Sequence, residues 1–185
     1  MKVINKNYLK GCLITLIALI VFCLIGYFIY KNHVIANLGS LNSHVELYWN
    51  KYVQNLKEKN NGFTQQRFKN DSIKYYLGKE KLISLSECSK ELEYNEYKLN
   101  QFAMSDSLKS DLNNRTNSIL DYYNKAVKEY NVYRIIFPNS LIARKAKFRN
   151  NFNYFEIRYG VNNEKIMMKK KKVEKWIKNG GSFPE

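Results

Sequence analysis

Proline and glycine are scarce in this chain: two prolines and eight glycines in 185 residues. So few chain breakers argue against a sandwich of short strands and for long helices. Cysteine is equally thin. Of the three present, Cys12 and Cys23 fall inside an apolar run and Cys88 stands alone, so neither a disulfide framework nor a metal-ligand spacing is available. Cys88 reads as a small core residue. Cys12 does not fit a lipoprotein signal, because the apolar run follows it and Lys10 precedes it. Histidine is limited to His33 and His44, and neither has the neighbours of a catalytic triad or a zinc site. Gly160 and the Gly180-Gly181 pair lack the strand–glycine–helix context of a phosphate-cradling loop. Close carboxylates such as Glu93 and Glu96 sit on a Lys-rich helix, where such groups make salt bridges. The expectation is a protein without catalytic residues, metal or cofactor.

Acidic residues are also in short supply, 16 against 31 basic ones, for a net charge of +15. Within the basic set, Arg is rare. Six are Arg (67, 115, 134, 144, 149 and 158) and 25 are Lys. Arg is the usual choice for bidentate phosphate and base recognition, whereas Lys is a hydrated point charge. The charge therefore reads either as a solvated surface or as attraction to an anionic one. Nucleic acid is not favoured as a partner, since no recognition motif accompanies it.

One long hydrophobic run is present. Residues 11–30 read GCLITLIALIVFCLIGYFIY, twenty residues without a charge. As a helix they span about 30 Å, the thickness of a bilayer's hydrocarbon core. Tyr27, Phe28 and Tyr30 gather at one end, as in an interfacial aromatic belt. A cleaved secretory signal would have a shorter apolar core and a small-residue cleavage site, which Val34 and Ala36 imitate poorly. The segment reads as an uncleaved anchor, so the lipid bilayer is an expected partner. Lys2, Lys6 and Lys10 precede it, and Lys31 is the one Lys or Arg in the next twenty residues. That bias predicts a cytoplasmic N-terminus and a domain outside the cytoplasm.

Apolar periodicity organises the remainder. Leu38, Leu41, Val45, Tyr48, Tyr52 and Leu56 put one stripe on a helix over 38–59, widened by Trp49 and Val53. Asn60-Asn61-Gly62 reads as its end. A weaker stretch covers 64–77. Leu82, Leu85, Leu92 and Leu99 predict a helix over 79–102, and Ser105-Asp106-Ser107 offers N-cap chemistry for the next. From Leu108 through Leu112, Thr116, Ile119, Tyr123, Ala126, Tyr130 and Tyr133 to Phe137, spacings of four and three describe a coiled-coil-like seam, which Pro138 ends. Tyrosine is frequent along these stripes, and its rings are expected in the core with hydroxyls at the edge. The predicted fold is all-α: an N-terminal transmembrane helix, then an antiparallel bundle of three or four long helices. The boundaries are a basic flank over 1–10, the anchor over 11–32, the bundle over 33–160 and a basic extension over 161–185.

Residues 121–143 read DYYNKAVKEYNVYRIIFPNSLIA. The order Tyr123-Asn124, Ala126-Val127, Tyr130-Asn131, Phe137-Pro138-Asn139, Leu141-Ile142-Ala143 resembles the signature of the LemA family. Asn114-Arg115 upstream, with Phe148 and Tyr154-Phe155-Glu156 downstream, extends the resemblance over 108–156. Val45-Glu46, Trp49, Gln54 and Leu56-Lys57 continue it more loosely over 34–59. Where the family carries Ile-Pro-Asn-Leu, this chain has Asn61-Gly62-Phe63-Thr64. The resemblance implies a membrane helix ahead of a helical bundle at a bacterial cell membrane. It implies no particular reaction.

The C-terminal part is the most basic. From Leu141 to Lys178 stand twelve basic and three acidic residues, a net +9. Lys169, Lys170, Lys171 and Lys172 form a run, and Lys175 and Trp176 follow. A helix here would carry Lys-rich and apolar surfaces, the make-up of an interfacial or partner-binding helix. These six residues are the candidate site for an anionic surface, against the alternative of a solvated tail. Two functions are carried forward: a membrane-tethered interaction or scaffolding module with protein partners or self-association, and an electrostatic binder of anionic lipid or polymer.

Overall fold

The computed structural model describes residues 6–65, 71–103 and 110–180, and every regular element among them is a helix. They are α1 (Lys6–Gln65), α2 (Asp71–Glu80), α3 (Lys90–Ala103), α4 (Ser110–Ile135), α5 (Asn139–Lys145) and α6 (Glu164–Asn179). The proposed cap at Ser105-Asp106-Ser107 lies outside the described residues.

The expected anchor and first bundle helix are one element. α1 runs for 60 residues without a break, about 90 Å of helix. No proline interrupts it, and the roughly 1 kcal/mol cost of Gly39 in a helix interior is small beside the burial that follows. The side chains of residues 10–30 are exposed, whereas Val34, Leu38, Val45, Trp49, Tyr52 and Leu56 are buried. The boundary between lipid-like and core-like surface therefore falls inside a single rod, just past Tyr30. The helix also continues beyond the expected stop at Asn60-Asn61-Gly62.

α4 packs antiparallel along α1. Asn37 donates to the Tyr133 hydroxyl at 3.1 Å, Tyr48 stacks on Tyr122 at 5.4 Å, and Arg115 pairs with Glu58 at 3.5 Å. Its buried face includes Thr116, Leu120, Tyr123, Val127 and Tyr130. From Leu112 to Tyr133 the seam read from sequence holds, Leu108 lies outside the described residues, and the seam fails at Phe137. That residue lies past the helix end and is 75% exposed. The core is built around Trp49, whose ring lies 5.1 Å from Tyr52 and 5.2 Å from Tyr123. Its indole N–H donates to the Leu85 carbonyl at 2.9 Å, so this large ring is buried without an orphan donor.

The helix expected over 79–102 is shorter. Residues 81–89 are irregular, and α3 opens at Lys90 because the Ser89 hydroxyl accepts the free Leu92 amide at 3.1 Å. α2 instead carries through Gly78 to Glu80.

Residues 146–163 form neither helix nor strand. Within them Phe155, Ile157 and Tyr159 are buried, while Glu156 is exposed and Arg158 half-buried. This two-residue alternation marks an extended chain with one face on a core.

Candidate functional site

Among the described residues the extended segment has no neighbouring strand, yet its backbone polar groups require partners. Three asparagines on α4 supply them. Asn117 accepts from the Tyr159 N–H at 2.9 Å and donates to the same residue's carbonyl at 3.0 Å. Asn124 does the same for Phe155 at 3.0 and 2.7 Å, and Asn131 for Phe152 at 2.9 and 3.0 Å. Each amide thus imitates the edge of a neighbouring strand. The spacing follows from geometry. Seven helical residues rise about 10.5 Å; the three extended residues from Phe152 to Phe155 reach about 10 Å, and the four from Phe155 to Tyr159 reach at most about 13 Å.

Two tyrosines reinforce the arrangement. Tyr123 donates to the Asn153 carbonyl at 2.9 Å and Tyr130 to that of Arg149 at 2.7 Å. On the other side, Asn100 of α3 accepts from Gly160 N–H at 2.9 Å and donates to the carbonyls of Arg158 and Val161. Gly160 has φ +77 and lies 3.0 Å, measured from where a Cβ would sit, from Asn113 Nδ2, so the turn there suits glycine on both counts. The pairs Tyr123-Asn124 and Tyr130-Asn131 drew notice in the sequence as motifs. Their role as backbone clamps did not, although the seven-residue recurrence of Asn117, Asn124 and Asn131 was a readable signal.

A second polar cluster lies where α1, α3 and the end of the extended segment meet. Lys59 Nζ pairs with Glu96 and stands 4.3 Å over the Tyr159 ring. Tyr159 donates to Glu96 Oε2 at 2.7 Å and shares a 2.7 Å hydrogen bond with the Tyr52 hydroxyl. Burial, then the charge of Glu96, pushes both phenols well above their ordinary range, so they remain protonated. Asn60 donates to Glu80. Burial first, and then the Glu96 carboxylate, raises Glu80 to about 8 against the opposing pull of Lys59. With Glu80 held neutral beside the Lys59–Glu96 pair, the cluster cross-links these elements from within. Glu96 was read from sequence as a salt-bridging carboxylate, which its pairing with Lys59 bears out, but its burial was not foreseen and Lys59 was not singled out. Lys59 does fall three residues after Leu56 on the apolar face, which was the available clue.

The C-terminal residues chosen from sequence separate into two groups. The segment is helical, as α6, and Lys169, Lys171, Lys172 and Lys175 are exposed while Trp176 is half-buried. Lys170 turns inward, paired with the buried carboxylate of Glu93 and, at 3.3 Å, with Glu156. Burial would lower its pKa, but the hydrogen bond to Glu93 and that residue's charge outweigh it and raise the value. Lys90 pairs with Glu174 and tightens α6 further onto α3, holding the Glu174 carboxyl below its usual range. Glu93 also accepts the Glu156 N–H, next to Phe155, whose ring lies 6.2 Å from Trp49. The Lys run therefore stands near the level of Trp49, nineteen residues on from Tyr30, or roughly 28 Å along α1.

Two clefts flank Cys88. The larger, about 220 Å³, is lined by Glu93, Asn131, Phe152, Glu156 and Lys170 among others, and the smaller, about 80 Å³, by Trp49, Glu87, Tyr123 and Arg149 among others. Both fall below the ~300 Å³ at which small-molecule pockets begin. Burial and the nearby Glu93 charge push the Cys88 thiol up to about 12, which leaves it a poor nucleophile. His33 and His44 are exposed on α1. Among the described residues no group of three or more His, Cys, Asp or Glu is placed to hold a metal ion. No family model, curated protein or solved structure matches this chain.

Proposed function

We propose that this chain is a single-pass membrane protein of the LemA type. Residues 11–30 cross the bilayer, and the helical bundle acts as a non-enzymatic interaction or scaffolding module at the cell envelope, with its N-terminus in the cytoplasm. The carrying observation is α1 itself. Its first half exposes Leu, Ile, Val and Phe on all sides, with a mean hydropathy of 2.9 in its most apolar window and no burial of that window. Its second half buries one stripe in the bundle. A rod of that kind transmits the position of a bilayer directly to a folded domain. The small clefts, the inert Cys88 and the internal ion pairs are what a packing-and-binding role would leave. The test is cross-linking of the full chain in native-membrane discs, followed by identification of partners. A reproducible set of protein partners, unchanged by charge reversal at Lys169, Lys171, Lys172 and Lys175, is expected. A chain that cross-links to no protein, itself included, would contradict it.

The exposed side of α6 favours a second reading, an electrostatic grip on an anionic polymer. Distance weighs against lipid of the anchoring bilayer, since the Lys run stands roughly 28 Å beyond Tyr30 along the rod. The same charge reversal distinguishes the two: this reading predicts loss of polymer binding that salt also abolishes in the wild type.

A further inference from the structure

We infer that the turn between α4 and α5 is a second membrane contact, whose exposed apolar side chains enter the interfacial layer of the bilayer that α1 crosses. This rests on the proposed reading of residues 11–30 as the span.

The antiparallel register between α1 and α4 sets the level of the turn. Asn37 meets Tyr133, Tyr48 meets Tyr122, and Glu58 meets Arg115. Continuing that register beyond Tyr133 brings the end of α4 down to residues 30–35 of α1. The Tyr30 hydroxyl closes the arrangement by donating to Asn139 Oδ1 at 2.6 Å. Asn139 in turn donates to the Tyr133 carbonyl at 3.0 Å, which ties α5 to the end of α4. The turn is therefore fastened at the residue where the apolar run ends.

What the turn presents there is hydrophobic. Ile135 is 66% exposed, Ile136 51%, Phe137 75% and Leu141 51%. Pro138 ends the α-helical ladder between them, and α5 buries Ile142 and Ala143 against the core while leaving Leu141 outside. Sequence periodicity would place Phe137 on the buried seam. In the fold it lies outside that seam, two residues before Asn139, to which the Tyr30 hydroxyl is bonded at the aromatic end of the span. Charge points the same way. No Asp or Glu occurs between Glu129 and Glu156. Arg144, Lys145 and Lys147 stand exposed beside the turn. Apolar side chains with flanking cations match the boundary where acyl chains meet the headgroups. Two contacts, span and turn, would also fix the tilt and rotation of the bundle on the membrane, which a single helix leaves to other anchors.

The test uses the full chain in vesicles of phosphatidylethanolamine and phosphatidylglycerol, in a Cys12→Ala, Cys23→Ala background. Nitroxides are placed singly through Ile136→Cys, Phe137→Cys and Leu141→Cys, with Phe22→Cys as the hydrocarbon reference. Leu82→Cys is the aqueous reference. Leu82 is 87% exposed and follows Glu80, which is hydrogen-bonded to Asn60 at the far end of α1. Power saturation with oxygen and a water-soluble nickel chelate reads depth. The turn labels are expected to show an oxygen-to-nickel accessibility ratio several-fold above that at Leu82 and below that at Phe22. Turn labels matching Leu82 while Phe22 reads as buried in hydrocarbon would overturn the turn contact alone. Turn labels shielded from both reagents would assign the surface to a protein neighbour and overturn it too. An aqueous Phe22 label would overturn the span, and this inference with it.

Discussion

Asn124 binds both backbone polar groups of Phe155, accepting its N–H at 3.0 Å and donating to its carbonyl at 2.7 Å. One side chain on a helix thereby does for an extended residue what a neighbouring strand would do. Repeated by Asn117 and Asn131, it lets a lone extended segment close the bundle without a sheet. The segment's own side chains, Phe155, Ile157 and Tyr159, complete the core beneath Trp49 and Tyr52.

Replacing Asn124 by Ala removes two hydrogen bonds and leaves an N–H and a carbonyl in a tight contact. The expected loss is about 2–4 kcal/mol of unfolding free energy. Asn124→Asp keeps an acceptor for the N–H but sets a carboxylate against the carbonyl, so it should recover little of that stability. Denaturant titration of the full chain in detergent measures the loss. Amide exchange should accelerate at Phe155 before it does so at Leu92. Equal stability in all three proteins would mean the clamp is incidental.

Glu80 predicts a pH dependence of stability. Its folded value is about 8 against an ordinary 4.5, so between those values the folded chain keeps a proton that the unfolded chain releases. Stability from this group therefore falls as pH rises through the window and levels off above it. Lys170 is shifted upward from 10.5 and Glu174 downward from 4.5, so neither titrates in the same range. Glu80→Gln mimics the neutral acid and keeps an acceptor for Asn60. At pH near 8 it should be more stable than wild type by on the order of 1 kcal/mol, with a flatter curve of Tm against pH. A variant with the wild-type slope would remove Glu80 as the cause.

The Lys run should divide sharply in its effect on folding. Lys170→Ala leaves the Glu93 carboxylate buried without its cation and should cost about 2 kcal/mol, less than for a fully enclosed pair because the lysine is partly exposed. Lys171→Ala, one residue on and exposed, should fall within about 0.5 kcal/mol of wild type. Thermal unfolding of the two variants side by side decides it. Similar losses in both would contradict the inward placement of Lys170.

Much of this architecture was legible because it follows from periodicity along single helices. The apolar run of residues 11–30, the stripe through Val45, Trp49, Tyr52 and Leu56, and the seam from Thr116 to Tyr133 each reveal themselves in spacing. Contacts between distant segments do not. The extended segment escaped because asparagine side chains satisfy its backbone, so no partner strand advertises it. Lys59 and Glu96, typical surface residues by type, are buried because each meets the other and Tyr159 across elements. Phe137 has the right spacing for the seam but lies beyond the last turn of α4. Lys170 differs from its three Lys neighbours only by the phase of α6, which turns it toward Glu93.

The proposed role depends on one continuous helix joining the bilayer to the bundle. Alkaline carbonate extraction of membranes containing the full chain, with intact-mass analysis of the extracted protein, tests it most directly. The chain is expected to stay with the lipid pellet and to retain residues 11–30. A soluble product beginning beyond Tyr30 would contradict it.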